Sequence, residues 1–276
     1  MTNCIFCSTA SKTAFSVKGY EVRDCISCGH RFAGLPADEQ HTAEQYSDDY
    51  FNGGGAGYAD YASEAQMLIR RGEMYAKLLT PHAEPGRMLD VGAAAGYILK
   101  GFHNEGWTGI GIEPNASMAN IGREELGLDI RQGTLESFAS EERFDLVSMI
   151  QVAAHFYDPA ASFKKAQELL KPGGHLLIET WDRSSFSART LGKHWHEYSP
   201  PTVLHWYSRQ WLTGHLCSLG FERVDGGRPK KRISGGHVRS LLKYRLGDLS
   251  LINFIPERVE FPYPSEDLFW ALFKKT

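Results

Sequence analysis

Four cysteines near the N-terminus, Cys4-x2-Cys7-x17-Cys25-x2-Cys28, form two knuckles, each able to offer a pair of thiolates to one side of a metal. Four thiolates complete a tetrahedral zinc site. With every ligand position filled by protein such a metal is structural, and its binding folds the segment around it. Ordinary reduced cysteines or a redox pair are the plainer alternative, which the paired spacing disfavours. The remaining cysteine, Cys217, lies in an apolar helical pattern and reads as core.

A second constellation starts at Asp90. In Met88-Leu-Asp-Val-Gly-Ala-Ala-Ala-Gly-Tyr-Ile-Leu, small residues stand where a buried strand must turn sharply into a helix while its backbone approaches a ligand. Glu113 ends the next apolar run 23 residues after Asp90, the offset at which an acid can accept from ribose hydroxyls. Tight strand-to-helix packing alone would also favour glycine and alanine. A dinucleotide site would keep three glycines to admit a pyrophosphate. Here Ala94 and Tyr97 crowd two of those openings, which favours a nucleoside ligand without phosphate.

Leu89-Asp-Val-Gly-Ala-Ala-Ala-Gly resembles the first motif of class I S-adenosylmethionine-dependent methyltransferases. Phe144-Asp-Leu-Val-Ser-Met-Ile-Gln-Val-Ala-Ala-His-Phe-Tyr-Asp-Pro is similar to their fourth-strand motif, and Leu169-Leu-Lys-Pro-Gly-Gly-His-Leu-Leu-Ile-Glu to the helix, turn and fifth strand. The resemblance spans roughly residues 85–225 and implies a doubly wound, Rossmann-like α/β sheet binding S-adenosylmethionine. It assigns Glu113 to the ribose, Gly92 and Gly96 to the methionine moiety, and Thr134 with Leu135 to the adenine. Gln151 would lie near the donor, with Asp90, Ala93, Pro114 and the upstream Tyr50 completing the set. Where the family often has an acid, this chain has Ala154. The N-terminal ribbon followed by Tyr46-Ser-Asp-Asp-Tyr-Phe is similar to bacterial methyltransferases that modify nucleotide-linked sugars, polysaccharide precursors and natural products. A small-molecule acceptor, methylated at oxygen or carbon, is what that likeness implies.

Methyl transfer needs alignment and, for a hydroxyl or carbon acid, a base. His155 follows the fourth strand motif and is the first candidate, a structural histidine being its alternative. The segment from Leu191 to Ser208 concentrates His194, His196 and His205 among aromatic residues. His205 and His196 are therefore further base candidates, with Tyr207, Tyr198 and Trp195 shaping an acceptor pocket. His194, His196, Glu197 and Asp182 lack a spacing that would make a second metal site. Tyr50, Phe51, Tyr58 and Tyr61 form either a lid or an aromatic connector packed on the sheet.

The elements that must position these groups divide into three parts. Residues 1–36 form the zinc-ribbon mini-domain, and residues 37–80 a Tyr- and Gly-rich connector with an N-terminal helix over Ser63 to Leu79. The glycine run from Asn52 to Gly57 should not hold a helix or strand by itself. Residues 81–276 form the methyltransferase domain. Short apolar runs at 87–91, 109–113, 144–150 and 175–179 alternate with helical patterns, as in a parallel sheet covered on both faces. The runs at Phe221 and Leu268 predict a strand pair at one sheet edge, separated by a basic insert at about 226–267. Arg228, Lys230, Lys231, Arg232, Arg239, Lys243 and Arg245 there accompany Val238, Leu241, Leu242, Leu246, Leu249, Leu251 and Ile252, a basic amphipathic pattern that suits a diphosphate, an anionic lipid-linked sugar or RNA. A solvated basic face over an ordinary core stripe is the plainer reading.

Two hundred and seventy-six residues allow one full catalytic domain and a small appendage. A net charge of −3 argues against a generally basic polynucleotide binder, so an RNA substrate is the second reading and would rest on the ribbon and the insert; a non-catalytic S-adenosylmethionine-binding protein, kept open by Ala94 and Ala154, is the third. The N-terminal residues show no secretion pattern and no segment is apolar enough to span a membrane, which predicts a cytoplasmic protein.

Overall fold

A computed structural model of the chain describes residues 2–52, 61–230, 232–246, 250–256 and 259–276. The glycine run of the connector, Tyr58, and Lys231 and Leu249 of the insert lie outside these residues. In chain order the ribbon holds β1 (Ser11–Val17), β2 (Tyr20–Cys25) and β3 (Arg31–Ala33), and the connector holds α1 (Glu39–Gln45), α2 (Asp48–Asn52) and α3 (Ala65–Leu79). The sheet begins with β4 (Arg87–Val91), α4 (Tyr97–Asn104), β5 (Thr108–Glu113), α5 (Ala116–Leu126), β6 (Asp129–Gln132), β7 (Phe144–Ile150), α6 (Pro159–Leu169) and β8 (Leu170–Trp181). After it come α7 (Phe186–Leu191), β9 (His205–Trp206), α8 (Arg209–Ser218) and β10 (Phe221–Gly227). The insert contains β11 (Arg232–Ser234), α9 (Gly235–Leu246) and β12 (Glu260–Pro262), and β13 (Leu268–Lys275) closes the chain.

The seven-stranded sheet runs β10-β13-β8-β7-β4-β5-β6. Strands β4 to β8 pair in parallel, while β13 lies antiparallel between β8 and β10. This is the predicted edge pair. Strands β4 and β7 and residues 174–180 of β8 are buried almost throughout, which is why they read as continuous apolar runs. Strand order reverses between β4 and its neighbours β5 and β7, and ligands of such sheets bind in the crevice beyond the strand ends at that point.

Helix α3 packs on α4 at unusually close range. A Cβ at Gly72 would collide with the Ile98 carbonyl oxygen, and one at Gly101 with the Ile69 carbonyl oxygen. Glu179 on β8 is 0% exposed and ties α3 to the sheet by accepting from the Arg71 guanidinium and the Tyr75 hydroxyl.

The ribbon is joined to the main body through its own sheet, ordered β1-β2-β3-β9, whose last strand comes from beyond β8. Phe6 reaches out of the ribbon to pack on Phe163, Trp211 and His215. In the insert, Val238 and Leu242 of α9 are half-buried just as Arg239 and Lys243 are, so these four do not separate into an apolar and a basic face. Among the described residues no helix is long and apolar enough to cross a membrane.

The Gly72–Gly101 contact is testable. Gly101→Ala improves helix propensity by about 1 kcal/mol, but the added methyl meets rigid backbone, and overpacking of that kind costs roughly 1–3 kcal/mol. Denaturant unfolding should show a less stable variant. A more stable one would mean that the helices are not held at this distance.

Candidate active site

A cavity of about 640 Å³ opens at the sheet's switch point, in the size range of small-molecule sites. Its floor is the turn after β4. Gly92 and Ala93 donate their backbone N–H groups to the Ile112 carbonyl (2.9 and 3.0 Å), which pins the turn against β5. Gly92 takes a left-handed φ of 68°, and Ala94 repeats it at 48°, a conformation that a side chain adopts under strain. The turn holds there because the Ala94 N–H donates to Glu113 Oε2 (2.8 Å), while the Asn115 N–H donates to Oε1 (2.9 Å).

Glu113 is 3% exposed, and burial raises its pKa to about 7 against the pull of those two amides. Each oxygen keeps a lone pair that a ribose hydroxyl could use. Asp90, at the end of β4, is likewise raised to about 7 by burial, and the Ser148 hydroxyl donates to its Oδ1 at 2.6 Å. Asp90, Gly92, Ala93, Glu113, Pro114, Thr134, Leu135 and Gln151 all face the cavity, as does Tyr50. Gly96 does not. It serves as the left-handed cap of α4, and a Cβ on it would meet Leu128 and Ile130 at 2.6 and 2.7 Å, so its space faces packing rather than ligand.

Of the three base candidates, His155 and His196 line the cavity and His205 does not. The Thr202 carbonyl lies 2.9 Å from His155 Nδ1, and a carbonyl oxygen only accepts, so the proton sits on Nδ1 and Nε2 keeps its lone pair. Burial lowers the His155 pKa, which leaves the ring neutral at pH 7. His196 stands between two acids, 3.4 Å from Glu197 and 3.7 Å from Asp267, with its ring against Trp181.

Both ring nitrogens of His205 are committed: Nε2 donates to the Phe156 carbonyl and Nδ1 accepts from His30 Nε2, each at 3.0 Å. Burial pushes its pKa down to about 3. It joins ribbon to main body and has no lone pair for catalysis. Tyr207 is corrected for the same reason, being buried with its hydroxyl donated to the Ala153 carbonyl. Trp195 and Tyr198 are core residues too: the Trp195 indole donates to Asp267, and the Tyr198 hydroxyl accepts from Arg31.

The connector roofs the cavity. Asn115 donates from Nδ2 to the Tyr46 carbonyl and to Asp48 Oδ1 (2.9 and 3.0 Å), so the residue that caps α5 also holds α2. Tyr46, Tyr50, Phe51 and Tyr61 then line the cavity; Tyr46 sets its ring edge against His155, and Tyr61 stacks on Tyr97. Sequence reading assigned no cavity role to Tyr46, Arg71, Trp181, Lys18 or Ser199, and weighed Glu197 only as a metal ligand, yet all six line the same cavity. For Tyr46 the signal was present in its own motif, and for Glu197 and Ser199 in the histidine-rich segment that carries His196. Tertiary folding alone brings Lys18, Arg71 and Trp181 to the site.

Away from the cavity, the Sγ atoms of Cys4, Cys7, Cys25 and Cys28 all lie within 4.8 Å of one another, the one such metal-ligand group among the described residues. The Cys4–Cys28 and Cys7–Cys25 sulfur distances are 3.7 and 3.4 Å. A tetrahedron with zinc–sulfur bonds of about 2.3 Å has edges of about 3.8 Å, so the donor set fits zinc.

The seven-stranded sheet with its antiparallel edge strand, the turn after β4 and the acid ending β5 define the fold of class I S-adenosylmethionine-dependent methyltransferases. A family model described as a methyltransferase domain matches residues 61–225, and the chain belongs to that family. The ubiquinone biosynthesis O-methyltransferase of Bradyrhizobium sp. (strain ORS 278) is 34% identical over 130 residues, which cover 45% of this chain and 49% of that enzyme. The chain thus spans about half the length of this curated relative. Among solved structures, 1,6-didemethyltoxoflavin-N1-methyltransferase of Burkholderia thailandensis aligns with a TM-score of 0.53 at 15% identity, over 91% of this chain and 97% of its own. A possible histamine N-methyltransferase of Thermotoga maritima aligns with a TM-score of 0.51 at 22% identity, over 76% and 92%. These structures share the fold.

The carboxylate at the end of β5 carries a pH signature. Ribose hydroxyls donate to the ionised form, so donor affinity should rise as pH passes upward through about 7, the folded pKa of Glu113. Calorimetry with S-adenosylhomocysteine between pH 6 and 8 checks this. Glu113→Gln should weaken binding at least about 10-fold, a loss of 1.4 kcal/mol or more, and flatten the dependence, leaving only the share of Asp90. Unchanged affinity in the variant would remove Glu113 from the donor site.

Proposed function

We propose that this methyltransferase transfers a methyl group to a hydroxyl of a small-molecule acceptor, with His155 as the general base. The observation that carries the reading is the fixed tautomer of His155: a neutral ring, its proton held on Nδ1 by Thr202, and its Nε2 lone pair retained at the cavity. S-adenosylmethionine, when bound by Glu113, the turn after β4 and the Thr134–Leu135 segment, supplies the electrophilic methyl. As the acceptor oxygen takes that methyl, its proton passes to His155 Nε2. Tyr46 holds the imidazole edge-on, and the aromatic roof of Tyr50, Phe51 and Tyr61 keeps water from the reacting atoms. His196, between Glu197 and Asp267, is assigned to acceptor binding.

Transfer to oxygen is supported by the O-methyltransferase relatives and by a neutral imidazole able to accept a hydroxyl proton. The acceptor class proposed is a nucleotide-linked sugar, a polysaccharide precursor or a natural product, supported by the ribbon that precedes the fold and by a cavity of small-molecule size. Within this reading residues 1–36 are a zinc ribbon, residues 37–80 the roof and its supporting helix, and residues 81–276 the catalytic domain with its insert. The metal is structural, and the reduced thiols it requires suit the cytoplasm.

His155→Gln should lower kcat by about 10² to 10⁴ with unchanged affinity for S-adenosylhomocysteine. An unchanged kcat would reject the base assignment. For the metal, elemental analysis should find one zinc per chain, and its removal by a chelator should lower Tm. A metal-free chain that melts at the same temperature as the purified protein would sink the zinc assignment.

A further inference from the structure

One wall of the cavity is supplied by the ribbon. Lys18 sits at the tip of the β1–β2 hairpin, in a two-residue turn with Gly19 closed by the Val17–Tyr20 pair. Both turn residues have positive φ, 51° and 82°, the geometry of a type I′ turn. Asn, Asp or Gly is favoured at the first of these positions, and a long side chain there is held in a strained backbone conformation. Lys18 is also the one ribbon residue among those that line the cavity.

Its ammonium donates to Ser199 Oγ at 2.9 Å, which places it beside the segment carrying His196 and Glu197. An ammonium has three donors, and Ser199 takes one. The opposite contribution comes from the insert, where Lys230 and Arg232 line the same cavity together with Arg70 of α3. Arg70 and Arg232 share the single carboxylate of Glu260, so these three cations exceed that acid by two charges. Trp181 links the two contributions, its ring contacting both His196 and Tyr263, the latter next to β12. Exposed cations thus collect at the mouth of a cavity in a chain whose net charge is negative.

We propose that the β1–β2 turn is part of the acceptor site, and that Lys18 with Lys230 binds a phosphate or diphosphate carried by the acceptor. This rests on the reading that the cavity takes a small-molecule acceptor. Ammonium groups act as mobile point charges toward phosphate oxygens, and several cations exceed what one carboxylate needs. The ribbon then has a role beyond its metal: it presents a specificity-determining residue to a site built by another part of the chain.

The probe is inorganic pyrophosphate, titrated calorimetrically into the full-length, zinc-loaded protein saturated with S-adenosylhomocysteine. Saturable binding is expected, weakened at least tenfold in both Lys18→Gly and Lys230→Gln and lost progressively with added salt. Glycine takes the left-handed turn without strain, so Lys18→Gly should melt at or above the wild-type temperature while binding pyrophosphate less well. Those opposite signs separate a binding role from a folding one. Wild-type affinity in Lys18→Gly, no pyrophosphate binding to the wild-type protein, or succinate binding as tightly as pyrophosphate would each overturn the proposal. Unchanged S-adenosylhomocysteine affinity in the variants keeps this outcome distinct from a failure of the donor site. Full activity in His155→Gln would reject the base while leaving the anion site standing.

Discussion

The arrangement depends on one buried carboxylate. Glu113 accepts the Ala94 and Asn115 amides, and through them it joins three parts of the chain. Ala94 is the strained residue of the turn after β4, so the bond to Glu113 holds that turn open. Asn115 caps α5 with its side-chain oxygen and holds the connector with its side-chain nitrogen. Without the carboxylate, two amides would be buried unpaired, at about 1–3 kcal/mol each, and both floor and roof of the cavity would lose their reference point. Burial opposes this use of Glu113 by favouring its protonated form, while the two amides that donate to it favour the ionised one.

A second tie works by the opposite logic. His30 and His205 are buried together between ribbon and main body, where burial lowers the pKa of both rings so that neither carries charge. A neutral imidazole donates from one nitrogen and accepts at the other, which lets His205 bridge the Phe156 carbonyl to His30. Histidine is used here as a rigid two-ended connector. At His155 the same neutral ring leaves one end uncommitted, and the difference between a tie and a candidate base lies in that single partner.

Much of the fold was legible because local pattern and tertiary role agree. Strands buried on both faces read as apolar runs, the edge pair at Phe221 and Leu268 stood out, and the acid at Glu113 followed from its offset to Asp90. Asp90, Gly92, Ala93 and Glu113 share one short turn and two strand ends, so spacing groups them, and all four line the cavity. Gly96 was placed in the site because sequence does not distinguish a glycine needed for packing against Leu128 and Ile130 from one needed by a ligand. The acceptor side is assembled from the ribbon, the connector, the segment after α7 and the insert. No local spacing links Lys18, Arg71, His196 and Lys230, and the density of histidines near residue 200 could not reveal that His205 faces the ribbon while His196 faces the cavity.

The fourth strand of the ribbon sheet has a consequence for how the protein is made. Strand β9 pairs with β3 across 175 residues, as the His30–His205 contact also does. At translation rates of roughly 5 to 20 residues per second, the ribbon leaves the ribosome about 10 to 35 s before that strand exists. During that interval its inner edge and the apolar side of Phe6 have nothing to cover them. A metal captured by the four cysteines of the nascent chain would give this first segment a folded state of its own while it waits, whereas the cavity, lined by residues from Lys18 to Tyr263, closes late in the order of synthesis.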